Sequence, residues 1–421
     1  YKPTVFEKSA RPGGMMTYGI PSFKLEKTII DAEIQVLREL GVEIRCGVEV
    51  GRDVTIPQLR EQGFLAFYIA IGCQGGRLPG VPGEHAAGTD IAVHFLHEAL
   101  ADENQHMDGR VVVIGGGNVA VDCARTAVRF GAEAVSMVCL ESRDTMPASK
   151  DEIAEAEEEH IEIHTGWGPK ELLQDESGHV TAVVFKKCLR TIDPETGKFA
   201  PVYDEAETIT LPADHVVFAI GQAIEWGGLL KDTKVTFHRG NYPVADPLTY
   251  QTAEADIFVG GDVYHGPKFV IDAIEEGKCA AESLHRYVHK GASLTIGRNR
   301  RDFVMLDKEN FSVNCYDHAT RQTEAVDPAV EAHSFRDARK TLTSEQVQTE
   351  TARCLGCGAS WVDPNKCIGC GVCTTKCVFD AIHLKRDHPE CSTMMKAEDK
   401  LKGIASMACK RLGQTLRGRK G

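Results

Sequence analysis

The chain has 421 residues, a net charge of −13 and 15 cysteines. That length allows two or three domains, the acidic balance argues against a nucleic-acid binder, and no apolar run is long enough to span a membrane. No signal-peptide pattern stands near Tyr1, so a cytoplasmic location with reduced thiols is expected.

In chain order, Thr4 to Phe6 reads as a strand with Glu7 at its acidic end. In a dinucleotide fold such a carboxylate bonds a ribose hydroxyl about 20 residues after a glycine fingerprint. Only Tyr1, Lys2 and Pro3 precede the Thr4–Phe6 strand, so the expected first strand and phosphate loop are missing from the pattern. The segments "FYIAIGCQGG" and "VVFAIGQAI" look like paired strand ends. Between them, "GRVVVIGGGNVAVDCARTAVRFGAEAVSMV" reads strand, glycine turn, helix, strand. Val111 to Ile114 is a continuous apolar strand, and Gly115-x-Gly117-x-x-Ala120 is the dinucleotide fingerprint in its alanine form. Gly115 permits the tight turn, Gly117 lets the backbone approach a pyrophosphate, and Ala120 lets the helix pack close to the strand. The helix start offers free N–H groups to phosphate. The competing reading is a glycine turn in some other βα unit; the second strand, Ala134 to Cys139, argues for the fingerprint. Next, "ADIFVGGDVYHGPKFVIDAIEEGKCAAESLHRYV" reads strand, glycine turn with Asp262, then a helix running to Val288. Gly291 to Glu350 reads as a short polar linker ending in a helix, with Thr343 and Gln346 as a capping box.

The run "CLGCGASWVDPNKCIGCGVCTTKC", Cys354 to Cys377, holds six cysteines. Disulfides would need an oxidising compartment and usually a small secreted domain. Zinc would use Cys354, Cys357, Cys367 and Cys370, leaving Cys373 and Cys377 surplus. Cys367, Cys370, Cys373 and Cys377 follow C-x2-C-x2-C-x3-C, the spacing of bacterial iron–sulfur proteins, although Val378 stands where proline is usual. The intervening glycines let the backbone wrap a bulky cluster. The fourth cysteine of this spacing commonly serves a second cluster. Cys354 and Cys357 are the obvious further donors, Ser360 falls where a third would be, and Cys391 and Cys409 could complete two sets of four. One or two 4Fe–4S clusters are expected, with the ligand partition open. Other cysteines, such as Cys73 and Cys279, read as core. From Thr393 the tail holds eight Lys/Arg against Glu398 and Asp399. Leu401, Ile404, Ala408 and Leu412 fall at helical spacing. Such a helix either docks on its own chain with a solvated basic face or receives an acidic electron carrier.

Six motifs, "RPGGMMTYGIP", "AIGCQGG" leading to "PGVPGE", "VVVIGGGNVAVDCARTA", "SRDTMPA", "AIGQ" and "GGDVYHGPKFVIDAI", stand in this order between Tyr1 and Val288. With them the chain resembles the FAD-dependent small subunit of glutamate synthase and its relatives. These include bifurcating NADH-dependent ferredoxin:NADP oxidoreductases and the flavin half of dihydropyrimidine dehydrogenase; members with a C-terminal cysteine-rich module also exist. The resemblance implies an α/β fold of two nested Rossmann-like domains, of pyridine nucleotide-disulfide oxidoreductase type, plus a small iron–sulfur module. Residues 1–90 and 222–290 would hold FAD, and 91–221 NADH or NADPH. A linker would span 291–350, the cluster module 351–386 and the basic tail 387–421. By the same resemblance Glu7 would hold the adenosine ribose of FAD. Gly13, Gly14 and Met15 would pass along the flavin, with Tyr18, Gly19, Ile20 and Pro21 beside its ring. Val50 and Gly72 would sit near the adenine and pyrophosphate, Gly261 and Asp262 at the ribityl chain, and Val270 at the pyrimidine edge. Gly115, Gly117, Asn118, Ala120, Glu141, Arg143 and Gly221 would hold the nicotinamide cofactor. The absent phosphate loop leads to an expectation of weak FAD binding.

The resulting expectation is an electron-transfer flavoprotein: NAD(P)H to FAD, then iron–sulfur centres, then ferredoxin or another redox subunit. Such chemistry needs no acid–base catalytic residue from the protein. The alternative is a docking or scaffold subunit that keeps the fold without functional flavin. NADPH-using relatives carry two arginines where this chain has Leu140 and Glu141, so NADH is expected to be favoured.

Overall fold

In a computed structural model the chain divides into two units, Tyr1–Ala352 and Arg353–Gly421, each described here by itself. The structure describes all residues except 239, 290, 299–319, 328–329, 331–332, 355–361, 363–366, 378–381, 386–398 and 418–421.

The first unit opens with β1 (Thr4–Glu7), α1 (Gly14–Tyr18), α2 (Lys27–Glu39), β2 (Glu43–Cys46), α3 (Ile56–Glu61), β3 (Phe67–Ile69) and β4 (Gly75–Gly76). β1 and β2 pair in parallel, Glu7 opposite Cys46. α3 starts in a capping box: Thr55 Oγ1 accepts from the Gln58 amide and the Gln58 side chain accepts from the Thr55 amide. Two otherwise orphaned N–H groups are thereby satisfied.

The chain then runs through β5 (Thr89–Ile91), α4 (Ala92–Ala101), β6 (Arg110–Ile114), α5 (Asn118–Arg129), β7 (Ala134–Cys139), α6 (Lys150–Glu158) and β8 (Glu162–Thr165). Three long strands follow, β9 (Trp167–Gln174), β10 (Val180–Ile192) and β11 (Phe199–Pro212), and then β12 (His215–Phe218). β5, β12, β6, β7 and β8 form one parallel sheet in that order; β11, β10 and β9 form an antiparallel one. The apolar runs of β6 and β12 explain the layering. A strand apolar on every residue needs cover on both faces. Val111 and Val113 pack with Ala120, Val121, Ala124 and Ala127 of α5, whereas Val112 and Ile114 pack with Val183 and Phe185 of β10. The parallel sheet is thus the middle layer between helices and the antiparallel sheet. Phe185 and Phe218 are almost fully buried, each contributing about 2–3 kcal/mol of transfer free energy.

Finally come β13 (Gln222–Ala223), β14 (Ile257–Val259), α7 (Asp262–His265), α8 (Val270–Val288) and α9 (Ser344–Ala352). β13 pairs antiparallel with β4, and β14 pairs parallel with β3. The strands of "FYIAIGCQGG" and "VVFAIGQAI", β3 and β12, therefore lie in different sheets; it is the short segments after them, Gly75–Gly76 and Gln222–Ala223, that pair. The helix expected after the Asp262 turn and running to Val288 is α8; before it the short α7 ends at His265, where Gly266 adopts φ +84° and Pro267 has no N–H to donate. The capping box before α9 is present: the Thr343 amide donates to Gln346 Oε1 at 2.8 Å, and the Gln346 amide to Thr343 Oγ1 at 3.3 Å. The described part of the expected linker is structured, with Val326 bridged to Arg339 and the Gln322 amide bonded to Glu350, and Phe335 packs on the core around β6 and α5.

In the second unit, α10 (Val372–Lys376) and α11 (Lys400–Arg417) are helical. α11 covers the amphipathic tail segment and exposes Leu401, Ile404 and Leu412. Cys357, Ser360 and Cys391 lie outside the described residues. Among the described residues no helix is long and apolar enough to cross a membrane.

Candidate functional site

The fingerprint turn joins β6 to α5 at the carboxyl end of the parallel sheet, where open α/β sheets bind ligands. Gly115, at φ +151°, donates to Val138 O, and a Cβ there would lie 2.4 Å from Ala219 O. At Gly117 a Cβ would meet nothing within 4 Å. Glycine at Gly115 is thus required by the protein itself, while Gly117 faces open space that a phosphate group fits. No side chain caps α5 at Gly117, which leaves its start available to an anion. Ala120 is fully buried against the sheet. Asn118 accepts the Ser149 amide at 2.9 Å, fixing the turn to the start of α6.

Glu141 follows the end of β7. Its Oε2 lies 3.0 Å from where a Gly116 Cβ would stand, so the carboxylate overhangs the turn. Arg143 points its guanidinium to Glu157. Gly221, at φ +124°, lies under Arg77, whose Cδ would be 3.6 Å from an added Cβ. Burial, with Glu141 nearby, pushes the Cys139 thiol up to about 12, so it is inert.

The candidate flavin residues sit at the ends of the parallel strands β1, β3 and β14. Glu7 accepts the Ser9 amide at 2.8 Å. Gly13, at φ +118°, starts α1, and an added Cβ would collide with Thr17 Oγ1 at 2.1 Å; Gly14 also has positive φ. Met15 O accepts from Gly19 and Ile20, each at 2.8 Å, and Lys27 donates to Met16 O and Ile20 O. Burial pushes that ammonium down to about 8. Pro21 O accepts from Lys24 and Leu25. Tyr18 accepts the Arg11 amide and stacks on His97 of α4, centroids 5.0 Å apart. The Gly72 turn and the Gly261–Asp262 turn are tied where Cys73 Sγ donates to Asp262 O at 3.4 Å. Burial raises the Asp262 carboxyl, opposed by the Lys268 amide. Gly261 donates to the buried Glu276. Val50 packs on the core around Ile69 and Ile257, and Val270 is half exposed at the start of α8. Positive-φ glycines at Gly13, Gly14, Gly72 and Gly261 and a carboxylate raised by burial at Asp262 are a donor set compatible with a dinucleotide such as FAD.

A seam between α5 and the Pro21–Leu25 segment carries residues that motif reading misses. Lys24 is ion-paired with both Asp122 and Glu152. Arg125 and Arg129 of α5 pair with Glu159, and both guanidiniums lie over the Phe23 ring. The sequence signal is the charged residues Asp122, Arg125 and Arg129 at helical spacing in an otherwise apolar helix, which must find buried partners.

In the second unit, Cys367 and Cys370 precede α10, Cys373 lies on it and Cys377 follows it; the Cys377 amide donates to Cys373 O at 3.0 Å. Gly369 and Gly371 have φ of +66° and +78°, the reversals that let a short chain curl its cysteines together. Cys354, Cys367, Cys370 and Cys373 are exposed and Cys377 is half-buried. A thiolate set at this spacing fits an iron–sulfur cluster.

A family model described as pyridine nucleotide-disulphide oxidoreductase matches residues 53–277, more than half of the chain, and a 4Fe-4S binding domain matches residues 360–383. NADP(+)-dependent formate dehydrogenase subunit beta of Moorella thermoacetica is 34% identical over 366 residues, covering 85% of this chain and 51% of its own length. Glutamate synthase (NADPH) small chain of Halomonas elongata is 34% identical over 304 residues, covering 68% and 63%. The chain thus spans about half the length of the first and under two thirds of the second. The structure of FprA from Mycobacterium tuberculosis in complex with NADPH aligns with a TM-score of 0.56 at 18% identity, over 68% of this chain and 77% of that one, a likeness of fold.

Proposed function

The chain belongs to the pyridine nucleotide-disulphide oxidoreductase family, and from that premise we propose that it is a flavin-dependent electron-transfer subunit. NAD(P)H would give two electrons and a proton as hydride to FAD, and the electrons would leave singly through one or two 4Fe–4S clusters to ferredoxin or a partner subunit. The cofactors supply the redox chemistry; the protein supplies binding, orientation and electrostatics. The carrying observation is that one chain holds both a phosphate-ready turn, open at Gly117, and the ferredoxin cysteine spacing. The names "subunit beta" and "small chain" of its relatives support a partner subunit.

In this reading Gly115, Gly117, Asn118 and Ala120 hold the nicotinamide cofactor's pyrophosphate, Glu141 its adenosine ribose, and Gly221 lines the same cleft. Glu7 takes the FAD adenosine ribose and Val50 the adenine. Gly72, Gly261 and Asp262 take the pyrophosphate and ribityl chain. The Gly13–Pro21 segment and the start of α8 at Val270 flank the ring. Cys354, Cys357, Cys367, Cys370, Cys373 and Cys377 supply cluster thiolates, in keeping with a reducing cytoplasm. NADH is favoured, because Glu141 overhangs the turn and Arg143 is engaged with Glu157.

The test is an anaerobic titration of the reconstituted protein with NADH, following flavin absorbance and the electron-paramagnetic-resonance signal of the clusters. Flavin bleaching with cluster reduction is expected. A protein that binds FAD and iron yet takes no electrons from NADH or NADPH would sink the proposal.

A further inference from the structure

The chain passes between the β1–β3 region and the five-stranded sheet through β4 and β13, a pair of two-residue strands flanked by Gly72 and Gly221. A single glycine-rich crossing is a hinge, and relative motion is the default for parts joined that way. Tyr18 on His97, and Lys24 and Phe23 against α5, already bridge the two parts, and residues 334–339 add a further attachment over them. Phe335 lies 6.1 Å from Phe23 and 5.5 Å from Phe130, ring centroid to centroid, and packs on the core around β6 and α5. Ser334 O accepts from Arg129 Nε at 3.0 Å, and Arg339 donates to Lys24 O at 3.4 Å. The segment therefore grips Phe23 and Lys24 on one side and Arg129 and Phe130 on the other. Phe23 is itself only 5% exposed, with the Arg129 guanidinium 3.8 Å from its ring centroid.

We propose that Ser334–Arg339 is a strap that fixes the nicotinamide-binding sheet relative to the Gly13–Leu25 segment, making Phe335 a positioning residue for hydride transfer. This rests on the electron-transfer reading above. Hydride transfer needs donor and acceptor atoms about 3–3.5 Å apart, and a 1 Å misplacement can cost about a hundredfold in rate. An aromatic plug between two apolar partners resists rotation because turning either part exposes all three rings to water. The strap also lies on the chain between α8 and α9, so the segment that leads to the cysteine-rich unit is the one that locks the hinge.

The test compares Phe335→Ala, Phe335→Leu and Arg339→Ala holoprotein with wild type by amide hydrogen exchange and by stopped-flow reduction of the flavin with NADH. Phe335→Ala is expected to raise exchange at Pro21–Leu25 and at the C-terminal turn of α5 by about tenfold or more, while β6 and β10 stay protected. Flavin reduction at saturating NADH should fall about 10- to 100-fold, with the NADH dissociation constant changed less than about twofold. Phe335→Leu should recover most of the rate, and Arg339→Ala should give a smaller change of the same kind. Unchanged exchange at the seam overturns the strap, as does a rise that extends equally through β6, which would mean general destabilisation. If the seam loosens as expected in a protein whose wild type is reduced by neither NADH nor NADPH, the strap stands and the electron-transfer reading fails.

Discussion

Cofactor choice is proposed to turn on Glu141, whose carboxylate lies 3.0 Å from the Gly116 Cβ position beside the Gly115–Gly117 turn. A carboxylate there accepts hydrogen bonds from ribose hydroxyls, each on the order of 1.5–3 kcal/mol for a charged acceptor. Against a 2′-phosphate the same charge repels by roughly 4 kcal/mol per unit charge pair, at about 4 Å and an effective dielectric near 20. Arg143 is the counterweight, and it is held by Glu157 in an exposed pair with side chains 42% and 53% accessible. Such a pair is worth about 0–1 kcal/mol, so Arg143 can be drawn away, but only part of the repulsion is then offset. An NADH preference of at least about tenfold in kcat/KM is expected, equivalent to roughly 1.4 kcal/mol. Leu140→Arg with Glu141→Arg should reverse it. A wild type that already prefers NADPH, or a double variant with the wild-type ratio, would remove Glu141 from the ribose site.

Helix α5 combines the Gly115–Gly117 turn at one end with a buried charge cluster along its side. Burial pushes the Asp122 carboxyl up to about 6 from an ordinary 3.8, against the pull of Lys24. The folded chain therefore holds this proton more tightly than the unfolded chain. The associated stability is full below the unfolded value and is lost as pH rises through about 6, a difference of about 3 kcal/mol for two units. Asp122→Asn keeps the shape and leaves Lys24 its Glu152 partner, so the variant should gain on wild type between pH 4 and pH 8. Urea unfolding across that range measures it; parallel pH profiles would show that the carboxylate carries no such cost. The two ends of α5 also differ in how legible they are in the sequence. Gly115, Gly117 and Ala120 are local, and a turn between an apolar strand and a helix fixes their geometry, so β6, the turn and β7 can be read directly. The Lys24–Asp122 contact joins residues 98 apart, and no local pattern encodes it. The β9–β11 sheet is hidden for another reason. β10 and β11 are half exposed and carry register shifts at Lys186/Lys187 and beyond, so their two-residue alternation is interrupted. The break before α8 is local, since Gly266–Pro267 is a stop signal inside an otherwise helical run.

At the scale of the whole molecule, the chain separates at Ala352 and Arg353. The first unit has its own hydrophobic cores, among them the clusters around Val113, around Phe185 and around Ile257. With these cores of its own, the first unit should hold its fold and its dinucleotide cofactors when the second is damaged. The second unit's described part offers little apolar burial: Ile368 and Val372 are 87% and 57% exposed, and α10 has no buried residue. A small module with so little apolar burial among its described residues is expected to depend on its metal, whose binding free energy is then folding free energy. Cys370→Ala removes one thiolate of the ferredoxin spacing. Anaerobically prepared variant should lose about four irons per chain with one cluster's absorbance, while flavin content stays at the wild-type level. Reduction of a two-electron dye by NADH, taken directly from the flavin, should continue, and transfer to a one-electron protein acceptor should fall at least about tenfold, because the cluster route is cut. Proteolysis should then cleave first after Arg353, since the apo module no longer pays for its own ordering. Loss of flavin together with iron would show that the two units fold as one, and a wild type holding zinc in place of iron would overturn the cluster itself.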